Sequence, residues 1–129
     1  MNCDPYQVEL RMTPDCFVDA LKIHCRDAAV DDCLTLLQHP PGRRPAQDLV
    51  VLSHWFRSLS ERDRQSVISA MRMAADATLF GTLCVIDGVR FIEDGPDKSE
   101  FQVTSILGGV TSVISPSKTF LHDLLRAEP

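Results

Sequence analysis

Long apolar runs and an N-terminal apolar segment are both missing from this 129-residue chain. No stretch of about 18 uninterrupted apolar residues occurs, so the sequence predicts no membrane span. The first ten residues, MNCDPYQVEL, contain no basic segment followed by an apolar one, so no secretion signal is predicted. These absences favour a cytoplasmic protein.

Motifs of common catalytic, nucleotide-binding and metal sites are also missing. Gly108-Gly109 belongs to no GxGxxG or GxxxxGK pattern, and no GxSxG elbow is present. The cysteines within 16–33 lie too far apart for the close pair of a zinc site. The acidic segment 93–100 lacks the alternating oxygen ligands of an EF-hand loop. We therefore expect no enzyme, no cofactor and no bound metal.

Cysteine is present in an odd number and at wide spacing, which disfavours a closed disulfide framework. Cytoplasmic proteins also keep their thiols reduced. We therefore expect five reduced thiols: Cys3, Cys16, Cys25, Cys33 and Cys84.

The length and the 44% hydrophobic content are typical of one compact domain. We expect a single domain over residues 1–129, with residues 1–12 as a tail or a short strand. A net charge of −5 disfavours nucleic-acid binding, which needs basic surface for phosphate contacts.

Charge is unevenly distributed along the chain. Residues 1–40 carry seven acids and three bases, residues 41–72 three and six, and residues 73–129 eight and four, giving −4, +3 and −4. Acidic ends around a basic middle could steer a basic protein partner. A mixed, solvated surface is the alternative interpretation.

Four helices are predicted in the first two thirds of the chain. Thr13-Pro14 is a start signal for a helix over about 14–26, and a second helix follows over about 28–38. After the loop PPGRRPAQ, apolar residues at helical spacing predict a third helix: Leu49, Leu52, Trp55, Phe56 and Leu59. A fourth helix starts near Ser60.

Asp87-Gly88, within TLFGTLCVIDGVRFIED, is either a hairpin turn or the end of this fourth helix. The apolar residues before it follow helical rather than strand spacing, and glycine suits a left-handed helix cap. We therefore predict a helix that ends there, with a break near Asp76 or Gly81 because about 40 Å is long for a small domain.

Short β-branched and aromatic segments follow: VRFIE, FQVTSIL and VTSVIS, separated by DGPDKS and Gly108-Gly109. They predict a three-stranded antiparallel meander. A final helix, opening at Ser115-Pro116 or at Ser117, should pack on this sheet. The predicted class is α+β.

Acidic residues at one end of the predicted hairpin are the candidate contact surface for a protein partner: Asp87, Glu93, Asp94, Asp97 and Glu100. Solubility or protection of a sheet edge is the alternative role for such carboxylates. His122 and Asp123 are adjacent on the last helix, and we expect a structural role for them.

The segment IDGVRFIED, the glycine-rich hairpin and the closing FLHDLL resemble small bacterial immunity proteins encoded beside polymorphic toxins. The resemblance spans roughly residues 76–125. It implies a non-catalytic protein that binds one toxin and blocks it, with the acidic region meeting a basic surface. No residue role is implied beyond that.

Two other hypotheses stay open. The first is a scaffold or adaptor domain of a bacterial assembly. In one version of this hypothesis the chain forms a homodimer through the sheet edge. The second is a small enzyme that uses His122, Asp123 or the hairpin carboxylates.

Overall fold

The computed structural model describes residues 11–127. Most of the expected N-terminal tail or strand, residues 1–10, lies outside this range. The described part has helices and a small antiparallel sheet, which confirms the α+β class. It forms two compact units: unit 1 contains residues 11–22 and 78–127, and unit 2 is Ile23–Ala77. A single folding domain stays a prediction.

Helical backbone begins at Pro14 and continues without a break to Gln38. It comprises α1 (Pro14–Leu21), a π-helical segment (Lys22–Asp27) and α2 (Ala28–Gln38). The Thr13 hydroxyl caps the start by accepting a hydrogen bond from the Cys16 amide at 3.2 Å. The second helix has the bounds that the sequence predicts, whereas the first is α-helical only to Leu21 and continues as a π-helix to Asp27.

In unit 2, α2 packs against α3 (Gln47–Ser58). Phe56 is fully buried, and the buried Ser53 hydroxyl donates a hydrogen bond to the Leu37 carbonyl. Leu52 and Trp55, which the helical spacing placed on the same apolar face as Phe56, remain exposed.

The fourth helix, α4 (Glu61–Ile86), is continuous, so the predicted break is absent. Its end at Asp87-Gly88 confirms the helix interpretation over the hairpin. Gly88 has a φ of 76°, the Gly88 amide bonds the Val85 carbonyl at 3.1 Å, and the Val89 amide bonds the Cys84 carbonyl at 3.0 Å. This is the glycine-terminated capping motif, which needs the left-handed conformation that glycine adopts easily.

By length and composition alone, α4 is apolar enough to cross a membrane, with a mean hydropathy of 1.2 over 18 residues. Only 22% of that window is buried in the structure. Two buried residues near its C-terminal end, Leu83 and Cys84, belong to unit 1, and Leu83 lies in that unit's core.

Within residues 11–127 the sheet has two strands, β1 (Val103–Leu107) and β2 (Val110–Ser115), paired in antiparallel register. Gly108 and Gly109 join them with φ values of 56° and 78°. Two successive positive φ angles are what a two-residue type I′ hairpin requires, as the sequence predicts.

The predicted third strand is wrong: residues 89–93 form no strand, so there is no meander. The amides of Val89 and Arg90 both bond the Cys84 carbonyl, which commits this backbone to the end of α4. A strand also needs a partner along its edge, and the contacts of Glu93 instead close the following residues into a loop.

Among the described residues, the core of unit 1 contains five buried side chains from four elements: Val18, Leu83, Ile114, Leu121 and Leu125. The last helix, α5 (Leu121–Arg126), contacts α1 and shares this core with β2. It begins later than the expected Ser115–Ser117. The reason is that its first amides are capped by a side chain distant in sequence, described next.

Candidate functional site

Asp87 joins the end of α4 to the start of α5. Its Oδ1 accepts a hydrogen bond from the Leu121 amide at 3.0 Å, and its Oδ2 accepts one from the His122 amide at 2.9 Å. Oδ2 also lies 2.7 Å from Nδ1 of His122. Only 2% of the Asp87 side chain is exposed. The carboxylate therefore caps a helix that is 34 residues away in the sequence.

The imidazole of His122 is held on several sides, and 15% of its side chain is exposed. Phe120 stacks on it with ring centroids 5.3 Å apart, and Phe80 meets it edge-on at 5.6 Å. Its Nε2 lies 3.4 Å from Oδ1 of Asp123. The Arg126 guanidinium lies 4.4 Å from the centre of the Phe80 ring. We name this set of contacts around Asp87 and His122 the Asp87–His122 bracket.

The bracket has part of the geometry of a catalytic dyad, since a buried carboxylate orients the imidazole through Nδ1. Acid–base catalysis would further require Nε2 to face a substrate or an activated nucleophile. Within residues 11–127, Nε2 faces the Asp123 carboxylate, and no serine, threonine or cysteine bonds it. The contacts favour a structural tie between two helix ends.

The other predicted contact residues lie on one loop, which is closed by Glu93. Its Oε1 accepts a hydrogen bond from the Ser99 amide at 3.2 Å, and its carbonyl accepts one from Lys98 Nζ. The hydrogen bond from Ser99 lowers the pKa of Glu93, although desolvation opposes this effect. Because the pKa of Glu93 is lowered, the Glu93–Ser99 hydrogen bond stabilises the loop at pH values above the ordinary pKa of a glutamate. This stabilisation is lost as the pH falls through the lowered pKa.

Three carboxylates of this loop point into solvent: Asp94, Asp97 and Glu100. Among the described residues they have no hydrogen-bond or ion-pair partner. Phe91 and Ile92 precede them with 57% and 63% of their surface exposed, and Lys98 Nζ lies 5.4 Å from the centre of the Phe91 ring. We name residues 91–100 the acidic loop. The structure thus keeps four of the five predicted residues together and places Asp87 in the bracket.

Unit 2 contains a shallow cavity of about 220 Å³, lined by Arg26, Asp27, Val30, Arg72 and Asp76. Arg26 lies 2.9 Å from a carboxylate oxygen of Asp27 and 3.2 Å from one of Asp76. Its pKa is raised mainly by the hydrogen bond to Asp27. Two arginines and two aspartates balance in charge, so the cavity shows no preference for an anion.

The described residues contain no group of three or more histidine, cysteine, aspartate or glutamate side chains that could hold a metal ion. Cys25 and Cys33 are exposed and Cys84 is buried, all as free thiols. Cys16 is disulfide-bonded, so the expectation of five reduced thiols is wrong for this residue. Sequence spacing alone could not show this pairing, because a disulfide requires only that two cysteines meet in space.

Comparison with protein families, with curated proteins and with solved structures finds no match for this chain. The role of the acidic loop and of the Asp87–His122 bracket therefore rests on their geometry and charge.

Proposed function

We propose that this chain is a non-catalytic protein-binding domain of the immunity type. It would act in the bacterial cytoplasm, bind a basic toxin domain and neutralise it by occlusion. The observation that supports the proposal is the acidic loop: a closed loop that presents three free carboxylates beside two exposed apolar side chains.

Closure of the loop favours binding. The Glu93–Ser99 hydrogen bond and the Lys98 contacts join its two ends, and Pro96 restricts the backbone between them. A loop that is ordered before binding loses less conformational entropy when a partner arrives. This pre-organisation supports a binding role over a merely solubilising one.

The charge distribution favours a basic partner. Unit 1, with residues 1–22 and 78–129 counted from the sequence, carries 11 acids and 6 bases, which gives −5. Unit 2 carries 7 acids and 7 bases, which gives zero. All of the excess negative charge therefore belongs to the unit that bears the acidic loop. Such a field accelerates the encounter with a positively charged surface.

Phe91 and Ile92 provide the apolar part of the proposed contact. Exposed aromatic side chains contribute strongly to binding when a partner excludes water from them, and surrounding charges form the polar rim. Contiguous exposed apolar surface is typical of an interaction site, and Phe91 and Ile92 are adjacent in the sequence and both exposed. We assign Asp87 to fold stability instead, because its carboxylate is inaccessible.

The direct test is co-expression with the toxin encoded in the neighbouring open reading frame, together with calorimetry on the purified pair. Asp94→Lys combined with Asp97→Lys should weaken binding by about tenfold or more and reduce growth rescue, because each reversal replaces attraction by repulsion. Asp31→Lys combined with Asp32→Lys is the matched control. It makes the same change in net charge at exposed positions of unit 2, and it should bind normally.

Equal weakening of binding in the two double variants would show that net charge, not the acidic loop, governs the interaction. Unchanged binding in both would show that the acidic loop is not the contact surface. No rescue and no complex with the neighbouring toxin would reject the immunity-type function. Stable capture of only housekeeping assembly components, reproduced with purified proteins, would instead support the scaffold or adaptor hypothesis.

A further inference from the structure

The β-hairpin has two different edges. The register of β2 shifts between the partners of Val103 and Thr104, which leaves Ile114 as an extra residue. Ile114 is buried, and β2 contacts α1. Such a bulge blunts an edge against further pairing. On β1, Thr104 to Leu107 pair in regular register, and within the described residues no strand lies along the outer edge.

Within the part of the chain that the structure describes, the β1 edge lacks the usual protection against pairing. Residues 101–115 contain no charged residue and no proline, although the chain as a whole carries −5. Natural sheets protect exposed edges with lysine, proline or inward-pointing charges. Ile106, at 71% exposure, and Thr104 are both β-branched and face solvent. An unprotected, β-branched edge is suited to another strand.

We infer that the outer edge of β1 pairs with β1 of a second copy of this chain, forming a four-stranded antiparallel sheet across a two-fold axis. A pairing centred on Ser105 sets Thr104 opposite Ile106 of the second copy and Val103 opposite Leu107. Every position then meets an uncharged residue.

Charge argues for a second copy as the occupant. Two molecules of net charge −5 repel each other, and an uncharged segment is where they approach at the lowest electrostatic cost. A basic partner would find no attractive charge at this edge, because β1 contains no carboxylate. An isologous contact between identical strands also closes after two subunits and does not propagate.

Paired substitutions on β1 test this arrangement by light scattering and analytical ultracentrifugation. The wild-type protein should sediment as a dimer, with twice the chain mass of 14.4 kDa. Thr104→Lys combined with Ile106→Lys places like charges opposite each other twice across the two-fold axis. The dimer dissociation constant should rise roughly tenfold or more. Thr104→Lys combined with Ile106→Glu sets opposite charges across the same axis and should restore the dimer.

A wild-type monomer at all concentrations would overturn the inference, as would a double-lysine variant that dimerises like the wild type. Circular dichroism checks that each variant is folded. If the double-lysine variant fails to fold, hydrogen exchange of the wild type decides. Protection of β1 amides that rises with protein concentration supports the pairing, whereas protection independent of concentration contradicts it.

Discussion

Asp87 shows that an acidic residue can be the least accessible member of an acidic group. The sequence places it within seven residues of Glu93 and Asp94, which suggests one surface. In the fold its two oxygens accept from two amides of α5 and contact the His122 ring. A buried carboxylate with these partners supports the joining of α4 to α5, and its removal would leave helix amides without an acceptor.

Asp87→Ala should therefore lower the free energy of unfolding by about 2–3 kcal/mol, since it removes a helix cap and a charged acceptor. Urea unfolding followed by circular dichroism measures the effect. Asp94→Ala is the matched control and should change stability by less than about 0.5 kcal/mol, because its side chain is exposed. Equal stabilities for the two variants would contradict the capping role.

The sequence could not have separated Asp87 from its neighbours. Its partners Leu121 and His122 follow 34 and 35 residues later, and spacing within one helix or one loop carries no information about such a contact. The adjacent pair His122-Asp123 did indicate a structural role for the histidine. Only the folded chain shows that Asp87 is the group that holds it.

At the scale of elements, local sequence signals predicted the helices and the hairpin turn correctly, but they did not predict which segments pair as strands. Apolar spacing, Thr13 and Gly88 predicted helices, and Gly108-Gly109 predicted the hairpin, because each depends on nearby residues. The third strand failed because β-structure depends on a partner, and residues 89–93 are committed to the end of α4. The start of α5 was misplaced for the same kind of reason, since its cap is distant in sequence.

Glycine at the hairpin turn can be tested against a glycine in the acidic loop. A Cβ added at either Gly109 or Gly95 meets no atom within 4 Å, but only Gly109 has a positive φ, at 78°. Gly109→Ala should destabilise the protein by about 1–2 kcal/mol through backbone strain. Gly95→Ala should be neutral or slightly stabilising. Thermal unfolding of both variants measures the difference, and a neutral Gly109→Ala would contradict the type I′ turn.

At the scale of the whole molecule, charge follows the fold and not the order of the chain. Consecutive sequence blocks carry −4, +3 and −4, which suggests a basic middle. The compact units instead carry −5 and zero. Residues 1–22 and 78–129 form one unit with an excess of acids, and residues 23–77 contain equal numbers of acids and bases. The basic middle thus disappears once the flanking residues of unit 2 are counted with it, because they add four acids (Asp27, Asp31, Asp32 and Asp76) and one base (Arg26). What remains is one acidic unit and one neutral unit.

This asymmetry predicts how binding responds to salt. If the charge of unit 1 steers a basic partner, the association rate constant should fall by about tenfold as the salt concentration rises from ~0.02 to ~0.5 M, whereas the dissociation rate should change little. Stopped-flow or surface plasmon resonance with the purified partner measures both. The Asp31→Lys, Asp32→Lys control should keep most of this salt dependence, and the Asp94→Lys, Asp97→Lys variant should lose much of it. An association rate that is insensitive to salt would place the contact on an uncharged surface and remove the electrostatic basis of the proposed function.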